Sequence, residues 1–360
     1  MPSAATHTTS LGLEPEWSLA RRSELRRFRL MDTLSTQAIA VLSSGVKFGP
    51  VHIIHPRSEH THTIIFLHGR GNTGEELCEE LLATHGTDGR NIQEAFPGFR
   101  MVFPTAPSVW SHTFAEYTPA WLETFFLDDD VDEDYVTADG IILAVPYLMG
   151  VVGAETDLLG GQSDRVMLAG ISEGGSVGMW TLLCLELPGE QRLGGFIGIN
   201  TTLPFAPSIQ RLVRYSEGLW SPAEIRLTRQ QRLQDTFVGG MLESIARHLG
   251  QGSHLPLLRT PVFLYHGTDD ALVDAEPGRE AYDTFNVMGF FPKWSEYSGA
   301  EEMGHWIKEP EGIDDICSFI RCDVLGEMRH ETRRAVLDVE DVSEDQGGMK
   351  PCRILGKRSG

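Results

Sequence analysis

The chain has 360 residues, 41% of them hydrophobic, enough for one large core or two modest ones. A formal net charge of −21 repels phosphate backbones and anionic membrane faces, which excludes nucleic acid as a partner class and disfavours adsorption to membranes. The five cysteines (Cys78, Cys184, Cys317, Cys322, Cys352) are scattered without a CxxC pair, and no continuous apolar run approaches the ~20 residues of a spanning helix; the expectation is a cytoplasmic chain with reduced thiols and no stable membrane insertion.

Residues 1–46 read as a polar N-terminal extension. The stretch "ARRSELRRFRLM" carries Arg21, Arg22, Arg26, Arg27 and Arg29, but Glu14, Glu16, Glu24 and Asp32 argue against a transit peptide, and no basic start precedes an apolar block as in a secretory signal. A solvated surface helix is the reading here, with Met1 and Met31 both open as starts. From about residue 47 the pattern becomes orderly. "VHIIHP" and "TIIFLHG" are short β-rich runs ending at turn residues. "GEELCEELLATHG" has helical spacing, "FRMVFPTAP" reads as a strand, and much of 139–157 as a helix. Strand "RVMLAG", helix 173–186, strand "GGFIGIN", strand "PVFLYHG", helix 276–288, strand "KWSEYSG" and helix 304–321 follow. Strands alternating with helices predict an α/β fold, a mostly parallel central sheet flanked by helices.

Residues 203–256 interrupt that rhythm as a helical insertion before the strand "PVFLYHG". Ser221 and Pro222 suit an N-cap and a first helical position for "SPAEIRLTRQQRLQDTFVGGMLESIARHL". The insertion is either a cap over the site or extra packing on the sheet edge. The domain is expected over 47–325, with 326–360 a charged, Gly-rich, flexible tail.

Within this layout "GISEGG" (residues 170–175) places Ser172 between glycines at a strand-to-helix junction. Gly-x-Ser-x-Gly in that context is the nucleophile-elbow pattern, which lifts a serine hydroxyl above a strand end with a helix N-terminus behind it. A serine hydroxyl needs a base, and the base an orienting carboxylate, in the chain order Ser, acid, His. "LYHGTDDALVD" offers Asp269, Asp270 and Asp274 beyond one strand, and "YSGAEEMGHWI" offers His305 near the start of the last helix. His68 and His266 precede glycines at strand ends and are expected to pack under the turns; His248 and His254 lie in the insertion and His330 in the tail. Two amides must also face the oxyanion. Glu173, directly after the nucleophile, supplies one; Arg70, in the Gly-rich turn "FLHGRGNTG", supplies the other. The Glu173 charge, placed in a first helical turn, is expected to disfavour substrates that are anionic near the acyl carbon.

Taken together, "FLHGRGNTG", "PTAP", "GISEGG", "HGTDDALV" and the late "GH" resemble the acyl-protein thioesterase and phospholipase/carboxylesterase group of α/β-hydrolases. The resemblance implies the α/β-hydrolase fold over roughly residues 47–325, Ser172 as nucleophile, Asp270 as acid, His305 as base, and the amides of Arg70 and Glu173 as oxyanion donors. It also matches "PAWLETF" around Trp121 to the group's substrate loop. Asn72 stands where the group usually has Asp, and Glu173 where it usually has Gln.

The function expected is therefore serine hydrolysis of a carboxylic ester or thioester through an acyl-enzyme, with no cofactor and an acylated protein or small molecule as substrate. Acyl transfer to another acceptor, a specialised-metabolite substrate and a silent binding protein are the alternatives; the last should have lost a triad residue, and none is lost. Trp121, Leu203 and Phe205 are candidate substrate contacts, with Leu212, Leu219 and Trp220 as further apolar residues of the insertion. No HExxH motif points to a metal, and His52, His55, His60 and His62 lie on an early strand pair away from the elbow. Oligomeric state, acyl-chain length and leaving group are left open.

Overall fold

The computed structural model describes residues 46–111, 116–122, 133–216, 218, 226–248 and 255–327. A seven-stranded sheet runs β1 (His52–Ile54), β3 (Phe99–Phe103), β2 (His62–Leu67), β6 (Val166–Ile171), β7 (Gly195–Ile199), β8 (Val262–Gly267), β9 (Lys293–Tyr297). Every neighbouring pair is parallel except β1 with β3. All six residues of β6 are buried, as a central strand covered on both faces requires.

Two apolar layers hold the sheet. On one face, α1 (Gly74–Ala83), α2 (Ile92–Ala95) and α9 (Glu311–Phe319) pack Leu77, Leu81, Ile92, Ile313 and Ile316 against Ile64, Phe66 and Ile197. On the other, α3 (Glu133–Leu158), α4 (Glu173–Cys184) and α8 (Ala275–Met288) cover Ile65, Leu67 and Leu168. Thr73 and Glu76 form a capping box that starts α1 at a fixed residue. The sequence reading finds no run long enough to span a membrane, yet Thr137–Leu158 within α3 passes that test by length and composition. Its apolar residues are interrupted by Asp139, Gly140 and Tyr147, which hides the average from a search for continuous runs. Ile141, Ile142, Val145, Leu148 and Val152 are spent on the core, so the hydropathy is that of a central helix.

Three further differences from expectation have local causes. A hairpin, β4 (Ser108–Ser111) with β5 (Glu116–Pro119), forms where no strand was read; its strands are only four residues long and carry no alternating pattern. The last helix starts at Glu311 rather than 304. Pro310 sits at its N-cap, and Gly304 upstream has φ +86°, so the segment before Glu311 turns instead of coiling. The insertion contributes α5 (Ala206–Ser216), α6 (Arg229–Met241) and α7 (Glu243–Ala246). Thr228 caps α6; the expected start at Ser221 and Pro222 lies outside the described residues, as do Leu219, Trp220, His254, residues 1–45 and residues 328–360.

Candidate active site

The elbow is built from small residues because the chain folds back on itself there. A Cβ on Gly170 would stand 2.4 Å from the Gly174 carbonyl carbon, and one on Gly174 would stand 2.2 Å from the Leu67 oxygen. Between them Ser172 has φ +55° and ψ −127°, a conformation that a non-glycine residue adopts at a cost and that positions its side chain. Ser172 is the N-cap of α4, but its side chain makes no capping bond. The elbow is held through its backbone: Ser172 N–H donates to Ile199 O at 3.0 Å, and Thr201 Oγ1 donates to Ser172 O at 2.7 Å.

The carboxylate of Asp270 is fully buried after β8. One oxygen, Oδ1, accepts the backbone N–H groups of Leu272 at 2.8 Å and Val273 at 2.9 Å; the other, Oδ2, accepts His305 Nδ1–H at 2.7 Å. Three donors from two loops thus converge on this one carboxylate and fix its orientation. Asp269 turns the other way and accepts Gly299 N–H at 2.8 Å, and Asp274 heads α8 without a side-chain cap bond. Of the three aspartates open in the sequence, Asp270 is the one bonded to His305. His305 follows three successive left-handed residues, Glu302 (φ +51°), Met303 (φ +58°) and Gly304 (φ +86°), and that compressed turn, not a helix start, presents its ring.

The loop after β2 lies beside the serine: a Cβ on Gly69 would be 3.3 Å from Ser172 Cβ. Arg70 binds the Glu173 carboxylate with Nε and Nη2, both to Oε1, and the other Glu173 oxygen accepts Trp121 N–H at 3.2 Å. Gly71 N–H donates to Pro119 O at 2.8 Å, tying the same loop to the hairpin. Glu173 is therefore neutralised by Arg70 rather than left facing the acyl position.

Trp121 is 1% exposed; its indole donates to His68 O at 2.9 Å and packs on the His68 ring. His68 is itself completely buried, donating Nδ1–H to Gly69 O at 2.7 Å and accepting Ala106 N–H on Nε2 at 3.0 Å. Burial pushes its pKa down to about 4, so it stays neutral and acts as a rivet under the Gly69–Arg70 turn. Leu203 is buried, and Phe205 packs its ring against Phe237 and Trp180 at 5.0 and 6.3 Å. These three candidate substrate contacts thus sit in packing positions. His266, also buried, donates to Val273 O at 3.0 Å beside Asp270. His52, His55, His60 and His62 take separate partners, Glu75, Arg100, Thr63 and Phe99. Among the described residues no group of three His, Cys, Asp or Glu side chains is placed to hold a metal ion.

Residues 49–216 match a protein family described as Phospholipase/Carboxylesterase. The chain is 25% identical over 283 residues to acyl-protein thioesterase 1 of Gibberella zeae, covering 78% of this chain and 97% of the relative. It is 32% identical over 155 residues to acyl-protein thioesterase 1 of Schizosaccharomyces pombe, covering 43% and 62%. The fold matches the crystal structure of Zea mays acyl-protein thioesterase 2 with TM-score 0.50 at 20% identity, over 77% of this chain and 99% of that one. The chain is similar to the phospholipase/carboxylesterase group of the α/β-hydrolases, and is a serine hydrolase of carboxylic esters or thioesters.

Proposed function

We propose that Ser172, His305 and Asp270 form the catalytic triad and that the chain turns over acyl substrates through an acyl-enzyme. The observation that carries this is the His305–Asp270 bond at 2.7 Å on the same strand-end face as a serine whose backbone is held in the elbow conformation. Because Nδ1–H is committed to Asp270, Nε2 is the nitrogen left to take the Ser172 Oγ proton. Ser172 Oγ then bonds to the acyl carbon, and the backbone amides of Arg70 and Glu173 stabilise the oxyanion. Collapse expels the leaving oxygen or sulfur with the proton returned by His305. Water, deprotonated by the same ring, adds to the acyl carbon, and Ser172 leaves reprotonated.

Acylated protein is the substrate class we favour, on the names of the relatives; a small-molecule ester is the second reading, on the departures at Asn72 and Glu173. We also place the protein in the cytoplasm, supported by Cys78, Cys184, Cys317 and Cys322, all free thiols. Trp121, as we read it, shapes the site through its backbone contact to Glu173 rather than by touching substrate. The test is hydrolysis of p-nitrophenyl esters and acyl thioesters of graded chain length by purified protein and by Ser172→Ala. The expected result is turnover that the variant loses at unchanged fold; turnover retained by Ser172→Ala defeats the reading.

A further inference from the structure

A triad works only if three separate loops agree on one geometry, and the stretch directly after β7 touches all three. Ile199 O accepts Ser172 N–H, and Thr201 Oγ1 donates to Ser172 O. Between them Asn200 is completely buried, with φ +46°. Its Oδ1 accepts Gly267 N–H at 2.9 Å, on the loop that leads to Asp270. Its Nδ2 faces Gly304 O at 3.4 Å and Trp306 O at 3.5 Å, the two carbonyls flanking His305. The Tyr297 hydroxyl lies 2.7 Å from Asn200 Oδ1 and 2.6 Å from Trp306 O. One proton serves both acceptors in turn, so Tyr297 couples the amide to the base loop a second time. Burial raises the Tyr297 pKa, which keeps that donor in place across the working pH range.

We infer that Asn200 is a positioning residue: its side-chain amide sets His305 and Asp270 against Ser172, with Tyr297 as its partner. The inference rests on the triad reading above. Two features separate it from ordinary packing. A buried primary amide is expensive unless both ends are satisfied, and here each end is satisfied by a different loop of the site. The left-handed backbone at Asn200 is one that Asn tolerates better than most non-glycine residues, so this side chain suits the place where the chain must turn out of β7. The contacting loops are also close: a Cβ on Gly267 would stand 2.6 Å from Gly304 O, and Ala271 N–H donates to Met303 O at 3.0 Å. A shift at Asn200 therefore moves the acid and base loops together relative to the serine.

The experiment compares wild type, Asn200→Gly, Tyr297→Phe and the double variant on p-nitrophenyl acetate, with active sites counted by fluorophosphonate titration. Glycine keeps the left-handed backbone and removes only the amide. The expected result is a kcat per titrated site lowered by about 10- to 100-fold in Asn200→Gly, because small misplacements of reacting groups carry losses of that order. KM should stay within about threefold, since binding contacts are untouched. Tyr297→Phe should lose less, and the double variant should be no worse than Asn200→Gly, as members of one network behave. A residue that only stabilises the fold would lower the number of titratable sites and leave kcat per site unchanged; that result overturns the inference. If Asn200→Gly does not fold, Tyr297→Phe decides: a wild-type kcat per site overturns the inference, and a lowered kcat at constant KM upholds it. Wild-type protein that neither titrates nor hydrolyses ester would instead overturn the triad reading itself.

Discussion

Two neighbouring aspartates show how much one residue's direction decides. Asp270 points inward to His305 and two backbone amides, while Asp269 points outward to Gly299. Asp270→Asn leaves the shape but offers His305 an amide, which stabilises neither the right tautomer nor the imidazolium. A kcat loss of ~10³–10⁴ is expected, against less than ~10-fold for Asp269→Asn; the reverse ranking in steady-state kinetics would move the acid to Asp269. His68 supplies a second residue-scale test. Its folded pKa, about 4, lies below the ordinary ~6.5 of an unfolded histidine. Between those values the unfolded chain binds the extra proton and the folded chain does not. Stability from this group is therefore full above pH ~6.5 and is lost as pH falls toward 4, by up to ~3 kcal/mol. Urea unfolding at pH 7 and pH 5 should show that loss in wild type and a smaller one in His68→Gln. Equal losses in both would mean that another group carries the acid sensitivity. Glu173 is the residue whose role the sequence could not give: an acidic side chain after the nucleophile looks like a bar to anionic substrates, yet it ties Arg70 to the Trp121 backbone.

At the scale of elements, the strands and helices that frame the site were legible because each carries a strong local signal. β6 is continuously apolar, α1 opens with a capping box, and α8 ends at Gly289, which has φ +94°. The β4–β5 hairpin had no such signal, and it is what anchors the turn after β2 through Pro119. The insertion was visible as an interruption, but its packing was not. Phe237, 1% exposed, meets Trp180 of α4 at 5.4 Å and Phe205 at 5.0 Å, so α6 leans on the back of the nucleophile helix. Phe237→Ala is expected to cost ~3–5 kcal/mol, as truncation of a buried aromatic does, while the acyl-chain-length profile per active site stays the same. Unchanged stability with a shifted profile would make the insertion a wall of the acyl pocket instead.

Across the whole molecule, the order Ser172, Asp270, His305 was readable because each residue follows a strand that ends on the same side of the parallel sheet. The contacts that bring those residues to a common geometry were not readable. The bonds from Thr201 to Ser172, from Tyr297 to Asn200 and from Asn200 to Trp306 span 29 to 106 residues, and nothing in the local pattern of "GINTT" marks an amide that bonds two distant loops. The sequence also overran the last helix, because the turn at Glu302, Met303 and Gly304 closes on its own Gly304 and His305 N–H groups and is held in addition by Ala271 N–H from a distant loop. The central claim, that these loops serve a covalent cycle at Ser172, is tested most directly by rapid-quench mass spectrometry during turnover of a slowly deacylating p-nitrophenyl ester. The expected result is an intact mass raised by one acyl group, mapped to the peptide carrying Ser172 and absent from Ser172→Ala. An enzyme that hydrolyses the ester with no adduct, or with the acyl group on another residue, would contradict the account.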